Sequence, residues 1–172
     1  EGKLVKVDDY TLVGQMTDTP TNRRPKDFVV YFVAKFDQKI ENIETSESSK
    51  NQLVHFGKNL TEPLKMKVAI SYTSVENAQL NLNKELNHWA FNRVVDESKS
   101  EWNDMLKRIS VEGGTEKDRR RFYTDLWHAL QGRRTISDSN GAYPDNTGET
   151  FRIGQLPVNA EGEPQFNHYN SD

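Results

Sequence analysis

Side chains able to do chemistry are scattered along this chain. Asp138-Ser-Asn140-Gly141 places oxygen donors close together, as a calcium-binding loop does. Such a loop also needs further acidic positions and a closing Glu at fixed spacing. Neither is present here, so an ordinary Asn-Gly turn is the simpler reading. His168 and Asp172 lie near one another at the end of the chain, but no third residue completes a triad or a metal set. His128 falls on the polar flank of a helical run and reads as a structural histidine. His55 falls within a strand-like run and has no visible partner. An acid and a base for glycoside hydrolysis could be drawn from the many Asp and Glu, yet spacing alone assigns no pair. Asn59-Leu60-Thr61 matches a glycosylation sequon, informative only in a protein secreted by the eukaryotic route. The residues thus point to an architecture more clearly than to a mechanism.

Composition narrows the classes. The net charge is -3 and the sequence pI about 5.9, without the basic face that nucleic-acid binding requires. Arg119-Arg120-Arg121 and Arg133-Arg134 are local basic spots among acids and read as solvated helix surface. There is no cysteine, so neither a disulfide framework nor a thiolate metal site is available. That absence fits a bacterial periplasmic or surface protein. No apolar run approaches the roughly 18 residues of a membrane span. No signal peptide is visible, since Glu1 leads directly into a strand-like run. Both ends read as cuts, and a piece of a longer protein is expected.

The elements that must position these side chains change type along the chain. Lys3–Val7 and Tyr10–Met16 read as strands split by Asp8-Asp9. Asp27–Phe36 is the strongest strand, apolar on both faces and therefore covered on both. Lys39–Thr45 and Gln52–Phe56 are weaker strands. In Leu64–Tyr72 the alternation predicts Leu64, Met66, Val68, Ile70 and Tyr72 inward, with Lys65, Lys67 and Ser71 outward. Six strands with no helix between them mean an antiparallel sheet or sandwich. At Ser74, an N-cap candidate, the period becomes helical: Ala78, Leu82, Leu86 and Trp89, then Phe91, Val94, Val95, Trp102, Met105, Leu106 and Ile109. Trp89 and Trp102 on these stripes read as core, with a sugar platform as the minor alternative. Gly113-Gly114 breaks the run and Thr115 caps a third helix, whose wide apolar face is Phe122, Tyr123, Leu126, Trp127 and Leu130, ended by Gly132. Thr135–Asp172 has almost no periodicity and reads as a long loop.

Several of these segments resemble glycoside hydrolase family 92, the bacterial exo-acting α-mannosidases abundant in gut Bacteroidetes. They are KVAISYTSVENAQLNLNKEL (67–86), WNDMLKRISVEGGTEKDRRRFYTDLWHAL (102–130), ISDSNGAYPDN (136–146) and FNHYNSD (166–172). The first 60 residues fit only as generic strands. The resemblance implies an α+β fold: the C-terminal strands of an antiparallel β-sandwich (1–73), a helical linker (74–112), and the first helix and long loop of a catalytic (α/α)6 barrel (113–172). It implies calcium-dependent hydrolysis of terminal α-mannosides with inversion, on N-glycans or mannans, in the periplasm or at the bacterial surface.

The departures from the family pattern matter equally. The family's general acid, general base and calcium ligands lie downstream of this chain, and its sandwich tryptophans lie upstream, so no catalytic or metal residue is assigned here. Only Asp172 coincides with a family pocket residue, the Asp of an S-x-W-D type segment that binds the terminal sugar; here it reads Asn170-Ser171-Asp172, without the Trp. Alone, the chain is expected to be inactive and to need the rest of its polypeptide. The alternatives are a non-catalytic carbohydrate-binding sandwich module and a relative of the glycoside phosphorylases.

Overall fold

The structure is a computed structural model, and it describes residues 2–22, 26–46, 51–58, 61–131, 134–148 and 150–170. The element order is β1 (Gly2–Asp8), β2 (Thr11–Asp18), β3 (Phe28–Phe36), β4 (Ile40–Thr45), β5 (Gln52–Phe56), β6 (Met66–Ser71), α1 (Val75–Glu85), α2 (Phe91–Leu106), α3 (Glu116–Leu130), β7 (Arg134–Thr135), β8 (Ala142–Asp145), β9 (Arg152–Gln155) and β10 (Tyr169–Asn170). Two compact units emerge. One holds Glu1–Trp89 with Ile136–His168, the other Ala90–Thr135 with Tyr169–Asp172. No helix among the described residues is long and apolar enough to cross a membrane.

In the first unit four strands form an antiparallel sheet in the order β1-β2-β3-β6. Its centre is β3, whose β-branched and aromatic residues suit a strand packed on both faces. On one face Leu12, Ala34, Phe36 and Ile40 are buried under the β4–β5 hairpin, which contributes Ile43, Val54 and Phe56. On the other face Val33 meets Ala78 and Leu82 of α1, with Val13 and Ala69 beside them. Gly14 makes the sheet possible at its crossing with Phe32. A Cβ there would lie 2.3 Å from the Lys3 carbonyl oxygen and 2.6 Å from the Phe32 ring.

Strand β6 reverses one expectation. Met66, Val68 and Ile70 are 59%, 46% and 47% exposed, while Ser71 is buried and Lys67 and Ala69 are partly covered. The alternation is present but the covered face is the other one. The reason is α1: small Ala69 lets the helix approach, and the Lys67 ammonium donates to the carbonyls of Leu86 and His88 just beyond the helix end, at 3.0 and 3.5 Å. A cation is favoured there by the helix dipole. Burial, then repulsion by Lys35, holds that ammonium below the usual lysine range. Ser74 caps α1 by accepting from the Asn77 amide at 3.1 Å. The helix ends at Glu85, so Trp89 lies outside it and over Lys67, 4.4 Å from ring centroid to Nζ.

The second unit is a helical hairpin. Gly113 and Gly114 adopt φ of 79° and 64°, as a break before a new N-terminus requires. Thr115 and Asp118 then form a reciprocal capping box. The hydroxyl and then the backbone amide of Thr115 hold the Asp118 carboxyl below its ordinary value of 3.8. Trp102 and Trp127 pack at 5.9 Å between ring centroids, and the Tyr123 hydroxyl donates to the Ile109 carbonyl. Neither α2 nor α3 contains a fully buried residue. The stop expected at Gly132 lies outside the described residues; the helix is capped at Gln131.

The stretch expected as a loop is structured. β8 pairs with β9 and β7 with β10, and 136–168 joins the sheet unit. The compact units therefore do not coincide with the boundaries at 73 and 112 expected from sequence.

Gly14→Ala should destabilise the folded protein by about 1–3 kcal/mol, the usual cost of overpacking, as read by urea unfolding; a change under about 0.5 kcal/mol would contradict this crowding. A depressed Asp118 pKa means its contribution is present above pH 3.8 and is lost as pH falls through the lower folded value. Protection of the amides at the start of α3, with the intrinsic exchange rate divided out, should therefore hold at pH 5 and fall as the pH drops below 3.8.

Candidate functional site

A tightly built polar site joins the end of β6 and the start of α1 to the 136–142 segment. At its centre is Asp138, 4% exposed. Its Oδ2 accepts from the hydroxyls of Ser71, at 2.9 Å, and Thr73. Its Oδ1 accepts from the Asn81 side-chain amide at 2.7 Å. Asn81 reaches inward because α1 places it beside Leu82 on the face toward the sheet. Its amide also donates to the Ile70 carbonyl, and its own oxygen accepts from the Ser139 backbone amide at 2.8 Å. One turn earlier Asn77 donates to the Thr73 hydroxyl and accepts from Asn140. Buried polar groups are tolerated when satisfied in this manner. The hydroxyl oxygen of Ser139 is the exception, buried with no partner among the described residues.

This clasp orients the turn and hairpin beyond it. Gly141 turns with φ 85°, its amide donating to the Asp138 carbonyl. β8 and β9 then form a short hairpin in which Tyr143 lies across Gly154, occupying the space a side chain would need. Asp145 closes its far end, accepting from the hydroxyl and amide of Thr147 and from Arg152. Those bonds, the Thr147 hydroxyl foremost, hold Asp145 below the usual carboxylate range. The segment's two ends are tied together where the Ile136 amide donates to the His168 carbonyl and the His168 amide to the Ser137 hydroxyl. Tyr143 and His168 stack at 4.6 Å between ring centroids.

Asp172, the one site residue expected from sequence, lies outside the described residues, as does the Asn59 sequon. His168 meets Tyr143 instead of a catalytic partner. His55, read as lacking a partner, has Glu44 at 3.3 Å on the adjacent strand. His128 packs edge-on against Trp127. The oxygen-rich stretch 138–141 is a turn, with both Asp138 oxygens already engaged. Among the described residues no three His, Cys, Asp or Glu side chains could hold a metal together. Calcium takes six to eight oxygens, so the described residues do not fit such a site. Reading by sequence missed the clasp itself. Its signal was two asparagines four apart, Asn77 and Asn81, flanking Ala78 on the helix's buried side.

The sequence model of the glycosyl hydrolase family 92 catalytic domain matches residues 77–165, just over half of the chain, taking in most of α1, both helices of the hairpin and the 136–142 segment of the clasp. The chain belongs to glycosyl hydrolase family 92. Solved members share its fold. The family GH92 alpha-mannosidase BT3965 from Bacteroides thetaiotaomicron superimposes with TM-score 0.74 over 98% of this chain at 20% identity. The inverting mannosidase BT2199 from the same species gives 0.72 over 91% at 22%. A further family member, the glycosyl hydrolase ccman5, gives 0.71 over 98% at 21%. The chain spans 23%, 24% and 23% of those chains respectively. No curated protein matches it.

Asp138→Ala removes the shared acceptor of three donors in a buried site. In the full-length protein it should lower stability by about 3 kcal/mol or more and open the 136–168 segment to proteolysis. Asp138→Asn, which keeps the shape and one acceptor oxygen, should cost less. Equal losses in the two variants would show that these hydrogen bonds contribute little.

Proposed function

We propose that this chain is one segment of a longer glycoside hydrolase that removes terminal α-linked mannose from N-glycans or mannans. The observation that carries this reading is the family 92 catalytic-domain match over residues 77–165. It is supported by fold similarity to solved proteins that are themselves mannosidases, one of them described as inverting.

On this reading β1–β6 are the closing strands of an N-terminal β-sandwich, residues 74–112 form a helical linker, and α3 opens an (α/α)6 barrel. The segment 136–168 is then a barrel loop that returns to the sandwich and is locked there by Asp138. Inversion requires a general acid and a general base on opposite faces of the sugar, roughly 6.5–9.5 Å apart with water between them. Both are assigned to parts of the polypeptide beyond these residues, as are the calcium ligands. Asp172 is proposed to accept hydrogen bonds from hydroxyls of the terminal sugar, the natural role of a carboxylate facing a polyol. The enzyme is proposed to work in the periplasm or at the surface of a bacterium, a setting that a cysteine-free chain tolerates well.

The rest of the polypeptide is proposed to cover Met66, Val68 and Ile70 and to complete the packing of α2 and α3. Apolar strips of that kind are seldom left to water.

The full-length protein should release mannose from an aryl α-mannoside, with β-mannose as the first product by proton NMR. Chelation should abolish turnover and added calcium restore it. The 172-residue chain alone should show no turnover. A full-length protein that binds mannan without hydrolysing it would replace this reading with that of a non-catalytic carbohydrate-binding module.

A further inference from the structure

A second recognisable surface lies at the opposite end of β6 from the clasp. The α1 face of the sheet is arranged in cross-strand rows. Val13, Val33 and Ala69 form the row roofed by the helix, and Thr11, Lys35 and Lys67 form the next. Because α1 ends at Glu85, its last turn does not extend over that second row. The result is a groove of about 890 Å³ between the β1–β2 turn and Trp89. That lies within the roughly 300–1,000 Å³ usual for small-ligand sites.

Its lining combines aromatic surface with hydrogen-bonding groups of both kinds. Tyr10 and Trp89 contribute rings that are 49% and 37% exposed. Thr11 is 4% exposed, lines the groove, and has no side-chain partner among the described residues. Lys35 has no acidic partner among them either. Asp8 and Asp37 each use one carboxylate oxygen locally, on the amides of Tyr10 and Lys65, which leaves the second oxygen of each unengaged among the described residues. Asp9 is different: Lys6 and Lys39 hold it as an ion pair, so it shapes the rim without offering a free acceptor. Free acceptors, a free cationic donor, a hydroxyl and two rings are the groups that recognise a polyol. Rings take its C–H face, carboxylates accept from its hydroxyls, and an ammonium donates to its oxygens.

We propose that this groove is a carbohydrate-binding site which takes sugar units within a glycan chain. The groove is open at its sides rather than a closed pocket for a chain end, which suits an internal unit. The choice of mannan as its ligand rests on the mannosidase reading; the groove's chemistry does not.

Affinity electrophoresis of the full-length protein through gels containing yeast α-mannan tests the proposal. The wild type should be retarded, and Tyr10→Ala and Lys35→Met should each weaken binding by about tenfold while the melting temperature stays within about 2 °C of wild type. Trp89→Ala should do the same on retardation, although it also removes the contact with Lys67. Retardation unchanged in Tyr10→Ala, or absent in the wild type, overturns the proposal whatever Trp89→Ala does. Hydrolysis of an aryl α-mannoside by the same wild-type preparation reports on the mannosidase reading separately. Retardation that depends on Tyr10, without hydrolysis, would keep the groove and remove that reading.

Discussion

A carboxylate taken out of water must be compensated, and Asp138 is compensated entirely by neutral donors: two hydroxyls and one amide. No cation among the described residues bonds the carboxylate itself; Lys84 reaches only the neighbouring Ser139 carbonyl, at 3.5 Å, and pairs with Glu163. The arrangement differs from a buried ion pair, where removing either partner strands a charge. Here the charge is spread over short polar side chains that the backbone already holds in place. Ser71 sits at the end of a strand, Thr73 in the turn after it, and Asn81 inside a helix capped by Ser74. Those positions are fixed by local structure before Asp138 arrives. The carboxylate therefore selects where the 136–142 segment can settle, and the β8–β9 hairpin inherits its placement.

Much of this was legible from short windows. The three helices, the Ser74 and Thr115 caps and the Gly113-Gly114 break depend on residues within one or two turns of each other. β3 announces itself by being apolar on both faces. β6 shows what periodicity leaves open. Its alternation says correctly which residues share a face, but both faces carry plausible residues: Met66, Val68 and Ile70 on one, Lys67, Ala69 and Ser71 on the other. Which face is covered is decided by α1, which needs a small residue opposite Ala78 and uses Lys67 to hold its end. A lysine on the covered side is readable only once a carbonyl partner is in view.

The clasp and the last strands were illegible for a related reason. Asp138 meets partners 57 to 67 residues earlier in the chain, beyond any local window. β8 and β9 are four residues each, with Pro144 in one and Gly154 in the other, both weak strand signals. They pair because the turn at Gly141 and the Asp145 bonds bring them together, and because Tyr143 fills the space above Gly154. Family membership was the exception to this dependence on locality. Its evidence was the order of several segments along the chain, which survives even where each segment alone is ambiguous.

The sheet unit is interrupted in sequence by the helical hairpin, since Ala90–Thr135 separates its two parts. On a ribosome, where the N-terminal end emerges first, the strands and α1 are available well before the segment that satisfies Ser71, Thr73 and Asn81. Until then the side of those donors that will face Asp138 is open to water. The helical hairpin, built from nearly local contacts, can form in the meantime at little entropic cost. Completion of the older unit thus waits on the younger residues. The emergence of Asp138 marks the moment in synthesis at which the sheet unit can close.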